Sequence, residues 1–478
     1  MSGIVRGWIE HQASIRPEQR YLEDARGPRS ITYGELLAHC LRWEAQLEEA
    51  GVPKGARVPL DLPDHLEYGA AAVALLGAGR VVVPVDPRAP RVGDGSTDPG
   101  GRTASRSVPE GAVPEGPVPE GPVPEGPLAE GTGGILLHTS GTTGGRKGVL
   151  LREGHLAHAA SEVARHHGLG PRELGLCPLP LFHINALVVG LLATLAAGGG
   201  LVLDDRFHRH GFWELVDDRG VTWINAVPAI IAILASTEPP TPSPERVRFV
   251  RSASAPLPVA VLRRFERRVG ISILESYGMT EAASMITANP LQGTRKPGSA
   301  GLPAGAEVRV VNGESRLPAG EVGRVQIRGR SVITAYDSGG EPGAFSRDGW
   351  LDTKDLGYLD HDGYLFLVAR ADDVINRGGE KVYPREVEEV LVSHPAVAEA
   401  AVVGQPDPVL GARPVAYVVA QEEPGAGAEL LAEELRSHCA GRLSPAKVPA
   451  KVHLVSALPT GPGGKVSRRR LALAAAGR

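Results

Sequence analysis

The sequence lacks the features that mark several specialised classes of protein. Its 478 residues include only three cysteines, Cys40, Cys177 and Cys439. They lie far apart and form neither a disulfide framework nor a metal-binding pattern, which favours a reducing compartment. The formal net charge of −4 is small for this length, so nothing favours nucleic acid or an anionic membrane as a partner. Small-molecule chemistry is the function that remains.

Long apolar runs are also absent. The sequence has no signal peptide and no run of 18 apolar residues that could span a membrane, so we predict a soluble, cytoplasmic protein. Apolar residues make up 42% of the chain, which is enough for globular packing. Because 478 residues are too many for one hydrophobic core, two or three domains are expected.

The histidines do not suggest a metal site. His166 and His167 are adjacent, and His208 and His210 are two residues apart. Neither pair has the cysteine or carboxylate neighbours and the spacing of a zinc site. We therefore predict that these histidines are surface residues.

One segment, at about 91–131, has almost no helical or strand periodicity. From residue 108 it repeats Val-Pro-Glu-Gly every five residues, starting at Val108, Val113, Val118 and Val123. Regular proline prevents a helix, glycine adds chain entropy and the glutamates repel one another. We predict an extended, mobile linker without chemistry of its own.

Most of the remaining sequence alternates between helical and strand periodicity. A helical pattern runs from Tyr33 to Leu47, and strands are predicted at 57–62 and 80–85. Period-two alternation at 322–328 predicts a small antiparallel β unit. These patterns predict a large α/β N-terminal domain over residues 1–371, with two sheet subdomains and that small β unit.

A second, smaller domain is predicted at 372–478. Its pattern is compact and mixes helices with strands. Helices are predicted at 384–393 and 429–439, and strands at 397–404 and 413–420. The expected fold class is α/β, with a small mobile α+β C-terminal domain.

A glycine-rich segment between two apolar runs is the most informative local feature. It reads Thr139, Ser140, Gly141, Thr142, Thr143, Gly144, Gly145, Arg146, Lys147, Gly148. Glycines allow backbone N–H groups to point at an anion, and hydroxyls with a lysine add donors and charge. The segment therefore resembles a loop that holds a polyphosphate, at a tight connection between two strands.

Other interpretations of this segment remain open. The hydrolase P-loop pattern requires glycine at position 146 and serine or threonine at position 148, where this chain has Arg146 and Gly148. That interpretation fails at both positions. A flexible surface turn is compatible with the ten residues taken alone.

Three later motifs carry further chemical groups. They are 275–281 (Glu-Ser-Tyr-Gly-Met-Thr-Glu), 349–357 (Gly-Trp-Leu-Asp-Thr-Lys-Asp-Leu-Gly) and 459–469 (Pro-Thr-Gly-Pro-Gly-Gly-Lys-Val-Ser-Arg-Arg). In the first, Tyr277 offers a ring for a base, Thr280 a hydroxyl for a phosphate, and Glu281 a hard oxygen ligand for Mg²⁺. Each of the three motifs, taken singly, also has a purely structural interpretation. These are, in order, a loop turning at Gly278, a turn or cap at Asp355, and an exposed basic tail at Lys465.

Together, these four motifs resemble the adenylate-forming enzymes, the superfamily of acyl-CoA synthetases, peptide-synthetase adenylation domains and luciferases. They occur in the family's order over some 340 residues, and the chain is most similar to an acyl-CoA synthetase. The early segments 31–36 and 83–87 are weakly similar to the family's early motifs. The chain departs from the family after Pro90, where members carry more folded sequence than the repeat supplies.

The resemblance implies a set of ATP-binding residues. Asp355 would bind both ribose hydroxyls with help from Arg370, and Lys465 would be the catalytic lysine. Glu281 would hold the metal, Mg²⁺, and would act with Thr280 and Lys465 in catalysis. The other ATP-binding residues implied are Thr139, Ser140, Gly141, Thr142, Thr143, Gly144, Lys147, Ser254, Ala255, Pro256, Ser276, Tyr277, Gly278 and Met279.

The resemblance also implies a thiol acceptor and a plain carboxylic acid. Gly378 and Gly379 resemble the loop that lines the pantetheine channel, with a hairpin turn as the alternative, and Asp372 would be the hinge between domains. His183 resembles the aromatic gate beside the reacting carboxylate, although it is equally compatible with a core residue. Residues 180–187 lack the aspartate with which amino-acid-activating relatives bind an ammonium group.

The expected activity is therefore ATP-dependent formation of an acyl-adenylate, followed by transfer to coenzyme A. ATP, Mg²⁺ and coenzyme A are the expected cofactors, and a carboxylic acid is the expected substrate. Two alternatives stay open: a ligase that loads an acyl carrier protein, and a non-catalytic interaction module.

Overall fold

The computed structural model describes residues 3–86, 132–140, 146–241, 244–340, 342–422, 425–460 and 466–476. Several predicted features lie outside these residues: most of the linker, the loop residues Gly141, Thr142, Thr143 and Gly144, and Lys465. The same holds for the side chains of Thr139 and Ser140.

The described residues form the following α-helices: α1 Ile4–Ile15, α2 Tyr33–Glu49, α3 His65–Gly77, α4 Glu153–His167, α5 Ala193–Ala197, α6 Phe212–Arg219, α7 Pro228–Ser236, α8 Val259–Val269, α9 Pro384–Val392, α10 Ala428–Ala440 and α11 Arg468–Ala476. A π-helix spans Asn185–Leu192, and 3₁₀ turns span Thr280–Ala282, Ala371–Asp373 and Gly425–Gly427.

The strands are β1 Arg20–Asp24, β2 Ser30–Thr32, β3 Arg57–Leu60, β4 Val81–Pro84, β5 Gly134–Ser140, β6 Arg146–Arg152, β7 Leu174–Cys177, β8 Gly200–Leu203, β9 Trp223–Ala226, β10 Phe249–Ser252, β11 Ile273–Met279, β12 Ser284–Ala288, β13 Leu302–Pro303, β14 Glu307–Asn312, β15 Ser315–Arg316, β16 Gly323–Arg328, β17 Leu351–Leu359, β18 Leu365–Arg370, β19 Ile375–Arg377, β20 Glu380–Val382, β21 Val397–Asp407, β22 Gly411–Ala420 and β23 Lys451–Leu454.

A nine-stranded sheet dominates the N-terminal part, in the order β13-β12-β11-β10-β9-β7-β8-β1-β2. Its central strands β9, β10 and β11 are parallel neighbours, so their carboxyl ends meet at one edge, where open α/β sheets bind ligands. Strands β8, β9 and β10 are fully buried, and β7 is buried except for Leu174, as parallel strands covered on both faces are.

Two smaller sheets complete the N-terminal part. Strands β3-β4-β5-β6 form a four-stranded sheet, in which β5 and β6 are antiparallel and pair up to Ser140 and Arg146. The glycine-rich segment therefore connects two paired strands, as predicted. Strands β15-β14-β16-β17-β18 form an antiparallel sheet, which confirms the predicted small β unit.

The C-terminal part is a five-stranded sheet with α9, α10 and α11. Four strands follow the order β20-β19-β22-β21, and β23 pairs with β22. The predicted helices and strands of this part are present within a few residues of their expected bounds. The predicted α/β class, with a large N-terminal and a smaller C-terminal part, is confirmed. The boundary at 371 and 372 falls in the turn Ala371–Asp373 between β18 and β19 and stays a prediction.

The prediction of exposed histidines is wrong for His167, which is fully buried. It ends α4 and packs edge-on against Phe249, with ring centroids 5.3 Å apart. The periodicity of α4 places this position toward the nine-stranded sheet, so helix packing overrides the polarity of the side chain. Burial lowers the pKa of His167 well below its usual value, which keeps the ring neutral.

No helix in the described ranges is long and apolar enough to cross a membrane.

Helix α9 joins the C-terminal part to strand β18 and to helix α8. Arg385 donates to the carbonyl oxygen of Leu367 at 2.8 Å, and the Glu389 carboxylate accepts from the Val259 backbone N–H at 3.1 Å. Glu275 of β11 lies beside this contact, 7% exposed, and accepts from the Gly298 N–H at 3.0 Å. Burial raises the pKa of Glu275 to about 7, with Arg385 opposing the shift and Glu389 adding to it.

We expect Glu275→Gln to remove a pH dependence of stability. A carboxyl with a raised folded-state pKa is protonated in the folded chain and ionised in the unfolded chain, so stability falls as pH rises through this window. The shift from 4.5 to about 7 corresponds to about 3 kcal/mol, lost between those pH values. Urea unfolding from pH 5 to 8 measures it. The exposed Glu314→Gln is the matched control, and an equal pH slope in wild type and Glu275→Gln would contradict the prediction.

Candidate active site

Asp355 is the centre of one half of the candidate site. It lies on β17 directly opposite Arg370 of β18, and it is 9% exposed. The Tyr277 hydroxyl donates to one carboxylate oxygen, and Arg370 Nη1 donates to the other at 3.2 Å. Both oxygens are thus fixed in orientation. Asp355 belongs to a strand and pairs with Arg370, although the strand is irregular just before it, where Lys354 has a φ of 62°.

Tyr277 lies on β11 of the nine-stranded sheet, so its bond to Asp355 joins two sheets. Burial, followed by the charge of Asp355, raises the pKa of Tyr277 well above its usual value. The hydroxyl therefore stays protonated and keeps donating. A carboxylate held in this way can still accept hydroxyl hydrogens through its remaining lone pairs. The stacking of adenine on the Tyr277 ring stays a prediction.

Lys147 and Glu281 form the other half, and Tyr336 connects them. Lys147, on β6, is buried, and its ammonium lies 5.3 Å from the centre of the Tyr336 ring. The Tyr336 hydroxyl donates to Glu281 Oε1 at 3.2 Å. A buried cation and a buried carboxylate are thus brought together by an aromatic residue of the loop between β16 and β17.

Tyr336 was missed in the sequence, because it belongs to no motif. It lies in the irregular segment between β16 and β17 of the antiparallel sheet, and only the folding of that segment against β6 reveals its position. The Glu281 carboxylate is a hard oxygen donor of the type that Mg²⁺ prefers, so the residues present fit a magnesium ion bound with phosphate groups.

Glycine is required at position 278, because the chain returns against it after the turn that holds Thr280 and Glu281. Strand β11 continues through Met279, with a bulge after Tyr277 in its pairing with β12, so a loop turning at Gly278 is the wrong description. A Cβ at Gly278 would lie 1.5 Å from the Ser284 carbonyl oxygen. Past the turn, Ala283 and Ser284 have φ of 50° and 100°, a conformation that costs about 1 kcal/mol or more per non-glycine residue.

The segment after β10 leaves the sheet at the carboxyl edge. Ser252 ends the strand, and its carbonyl oxygen accepts from the Ser276 hydroxyl at 3.2 Å. Ser254 has a φ of 76°, which turns the chain sharply, and Ala255 and Pro256 are exposed. The predicted ATP-binding residues that follow β10 and those on β11 therefore lie at the same edge of the sheet.

His183 lies just before the buried π-helix, and its ring packs on Phe182 with centroids 4.6 Å apart. Half-buried there, it remains compatible with both a gate and a core residue. π-Helical turns occur often at functional sites.

Gly378 and Gly379 form the two-residue turn between β19 and β20, with φ of 59° and 90°. Hairpin turns of this type favour glycine, so the hairpin alternative accounts for both residues. A role in a pantetheine channel stays a prediction. Asp372 is exposed in the turn Ala371–Asp373, and its role as a hinge is likewise a prediction.

Comparison with known proteins gives matches along most of the chain. Residues 9–92 and 98–337 match the family described as AMP-binding enzyme. Residues 386–465 match the family described as AMP-binding enzyme C-terminal domain.

The chain is similar to curated CoA ligases. It is 45% identical to a sulfoacetate–CoA ligase of Cupriavidus necator over 70% of this chain and 66% of the relative, so it spans just under two thirds of that protein. It is 33% identical to a 2-succinylbenzoate–CoA ligase of Geobacillus kaustophilus over 97% of this chain and 96% of the relative.

A solved structure has a similar fold. The o-succinylbenzoate coenzyme A synthetase of Bacillus subtilis, in complex with ATP and magnesium ion, is 30% identical, with a TM-score of 0.78. The likeness covers 97% of this chain and 98% of that structure.

Proposed function

Because the chain belongs to the AMP-binding enzymes, the adenylate-forming family that its motifs resemble, we propose that it is an ATP-dependent acid–thiol ligase. The reaction joins a carboxylic acid to coenzyme A and converts ATP to AMP and pyrophosphate. The observation that carries the proposal is the convergence of the predicted residues in two linked pairs: Tyr277 with Asp355, and Lys147 with Glu281 through Tyr336.

In the first step, a carboxylate oxygen of the acid attacks the α-phosphorus of ATP, and pyrophosphate leaves. Asp355, oriented by Tyr277 and Arg370, would accept the ribose hydroxyls. Lys147, with Thr139, Ser140, Gly141, Thr142, Thr143 and Gly144, would hold the β- and γ-phosphates. Positioning and charge neutralisation supply most of the catalysis in such a reaction.

Glu281 would hold Mg²⁺, which when bound neutralises charge on the phosphate groups. Thr280 would donate to a phosphate oxygen, and Lys465 would neutralise the oxygens at the reacting centre. His183 would lie beside the reacting carboxylate. Ser254, Ala255, Pro256, Ser276, Gly278 and Met279 would line the nucleotide.

In the second step, a thiolate attacks the acyl carbon and AMP leaves. Rotation of the C-terminal part about Asp372 would replace Lys465 by the channel at Gly378 and Gly379. Coenzyme A is the acceptor we propose, in agreement with the names of the relatives. A phosphopantetheine arm on an acyl carrier protein presents the same thiol and is the alternative acceptor.

The relatives' names also bear on the acid. Sulfoacetate and 2-succinylbenzoate each carry a second acidic group besides the carboxylate that forms the thioester. We propose a non-amino carboxylic acid as the substrate, because 180–187 lack an aspartate for an ammonium group.

A panel of carboxylic acids tests the proposal. Pyrophosphate release is measured for each acid with no thiol, with free coenzyme A and with a holo-acyl carrier protein. We expect at least one acid to give adenylate, and CoA to accelerate turnover with formation of the thioester. Acylation of the carrier but not of CoA would favour the alternative acceptor. Absence of acid-dependent pyrophosphate release for every acid would favour a non-catalytic module.

We expect Lys465→Ala to lower acid-dependent ATP–pyrophosphate exchange by about 100-fold or more, because a charge-stabilising donor at the reacting oxygens is lost. Thioester formation from a supplied acyl-adenylate should persist, since that step does not use the lysine. Arg470→Ala, in the same basic segment, is the matched control. Unchanged exchange in Lys465→Ala would show that Lys465 belongs to an exposed basic tail.

We expect Tyr336→Phe to raise the Mg²⁺ concentration at half-maximal exchange by about 10-fold, the usual cost of losing a partner that orients a metal ligand. The variant keeps the ring beside Lys147 and removes only the hydroxyl that donates to Glu281. Tyr358→Phe, on β17, is the control. If Tyr336→Phe and Tyr358→Phe reach half-maximal exchange at the same Mg²⁺ concentration, Tyr336 does not orient a ligand of the metal.

A further inference from the structure

Arg251 is a buried cation on β10 that no motif explains. It is 1% exposed and is among the largest fully buried side chains. Its Nη1 donates to the side-chain oxygens of Asn185 at 2.8 Å and Asn225 at 3.3 Å. Both acceptors are neutral amides. Within the described ranges, no carboxylate forms a salt bridge with Arg251, whereas buried charges in proteins are normally paired.

The surroundings of Arg251 add positive charge or none. Burial lowers its pKa to about 10, so the guanidinium remains protonated at neutral pH. Cys177 lies close by as a neutral thiol, since burial raises its pKa to about 11. His166 and His167 of α4 face the same region. Burial, and after it the charge of nearby arginines such as Arg251, lowers the pKa of both rings.

Two donors of this cluster lack an acceptor. Arg251 Nε and Asn185 Nδ2 are both buried and have no hydrogen-bond partner among the described residues. Leaving a buried donor unsatisfied is costly, and such atoms in a native structure indicate a missing partner. A partner that meets a guanidinium and an amide N–H together is an acceptor with negative charge.

The position of this cluster connects it to the reaction. Arg251 and Asn225 are opposite each other on β10 and β9, one residue before the carboxyl edge. Ser252 follows Arg251 and leads into the segment with Ser254. Asn185 begins the π-helix, two residues after His183. The unsatisfied donors therefore lie on the same elements as the residues assigned to the acid and nucleotide.

We propose that Arg251 and Asn185 form a subsite for a second anionic group of the acid substrate. The substrate class is then an acid with a carboxylate at one end, which is adenylated, and a second carboxylate or a sulfonate at the other. This inference rests on the proposed function, because it names the acid of the same reaction. The guanidinium provides the planar pair of donors that carboxylates and sulfonates accept.

ATP–pyrophosphate exchange with matched acids tests the subsite. Malonate, succinate and sulfoacetate are compared with monomethyl malonate, monomethyl succinate and butyrate. We expect wild type to favour the best dianion over its singly charged match by on the order of 100-fold or more in kcat/KM, since buried polar groups left unpaired by the wrong substrate penalise it strongly. The malonate, succinate and sulfoacetate arms distinguish a carboxylate from a sulfonate.

Arg251→Met should abolish this preference, mainly by raising KM for the dianion, and should leave exchange with the singly charged acids within a few-fold of wild type. Arg251→Lys keeps the charge and should retain part of the preference. Arg248→Met, three residues earlier on the chain and 31% exposed in an ion pair with Glu173, is the matched control and should keep the wild-type preference. Calorimetric binding of the dianion in the presence of a non-hydrolysable ATP analogue gives a second readout.

Equal loss of exchange with both kinds of acid in Arg251→Met, or a wild-type preference for the singly charged acids, would overturn the subsite while leaving the proposed function intact. Melting temperatures and ATP binding of each variant establish that it is folded. If wild type shows exchange with no acid of either kind, the proposed function fails, and the subsite fails with it.

Discussion

The carboxylate of Asp355 is the interaction on which the candidate site depends. It is held between the Tyr277 hydroxyl, from the nine-stranded sheet, and the Arg370 guanidinium, from the neighbouring strand of the antiparallel sheet. Either sheet alone would place only part of this arrangement. Because Arg370 directly precedes the turn Ala371–Asp373, the same contact also fixes the last strand before the C-terminal part. The expected nucleotide site and the expected hinge thus share one anchor.

A second arrangement of the same kind joins Lys147 to Glu281. Tyr336 places its ring beside Lys147 and its hydroxyl on Glu281, so one side chain links the four-stranded sheet to the turn after β11. The backbone of that turn is strained at Ala283 and Ser284 and excludes any side chain at Gly278. Strain of this kind persists where the surrounding structure over-determines the conformation, and here the result is a buried carboxylate held close to a cation.

The buried Arg251 differs from these two arrangements because its charge is not balanced by the described residues around it. Asn185 and Asn225 turn their oxygens toward it, which satisfies hydrogen bonds without neutralising charge. Taking such a group out of water disfavours its charged form, and an anion supplied by the substrate would offset that cost. The acid itself would then complete the packing of this part of the chain, which would couple recognition of its far end to the position of its reacting end.

The sequence by itself determined the α/β class, the strands that flank the glycine-rich segment and the residues of the motifs. Periodicity and turn chemistry are local properties, and the four motifs are short contiguous segments whose resemblance to one family needs no contact map. Only the tertiary structure decided that His167 is buried, that Tyr277 uses its hydroxyl to orient Asp355, that Tyr336 joins Lys147 to Glu281, and that Arg251 is surrounded by neutral partners. Each of these depends on residues far apart in the chain, and contacts of that kind are set by how sheets and helices pack, which no local pattern encodes.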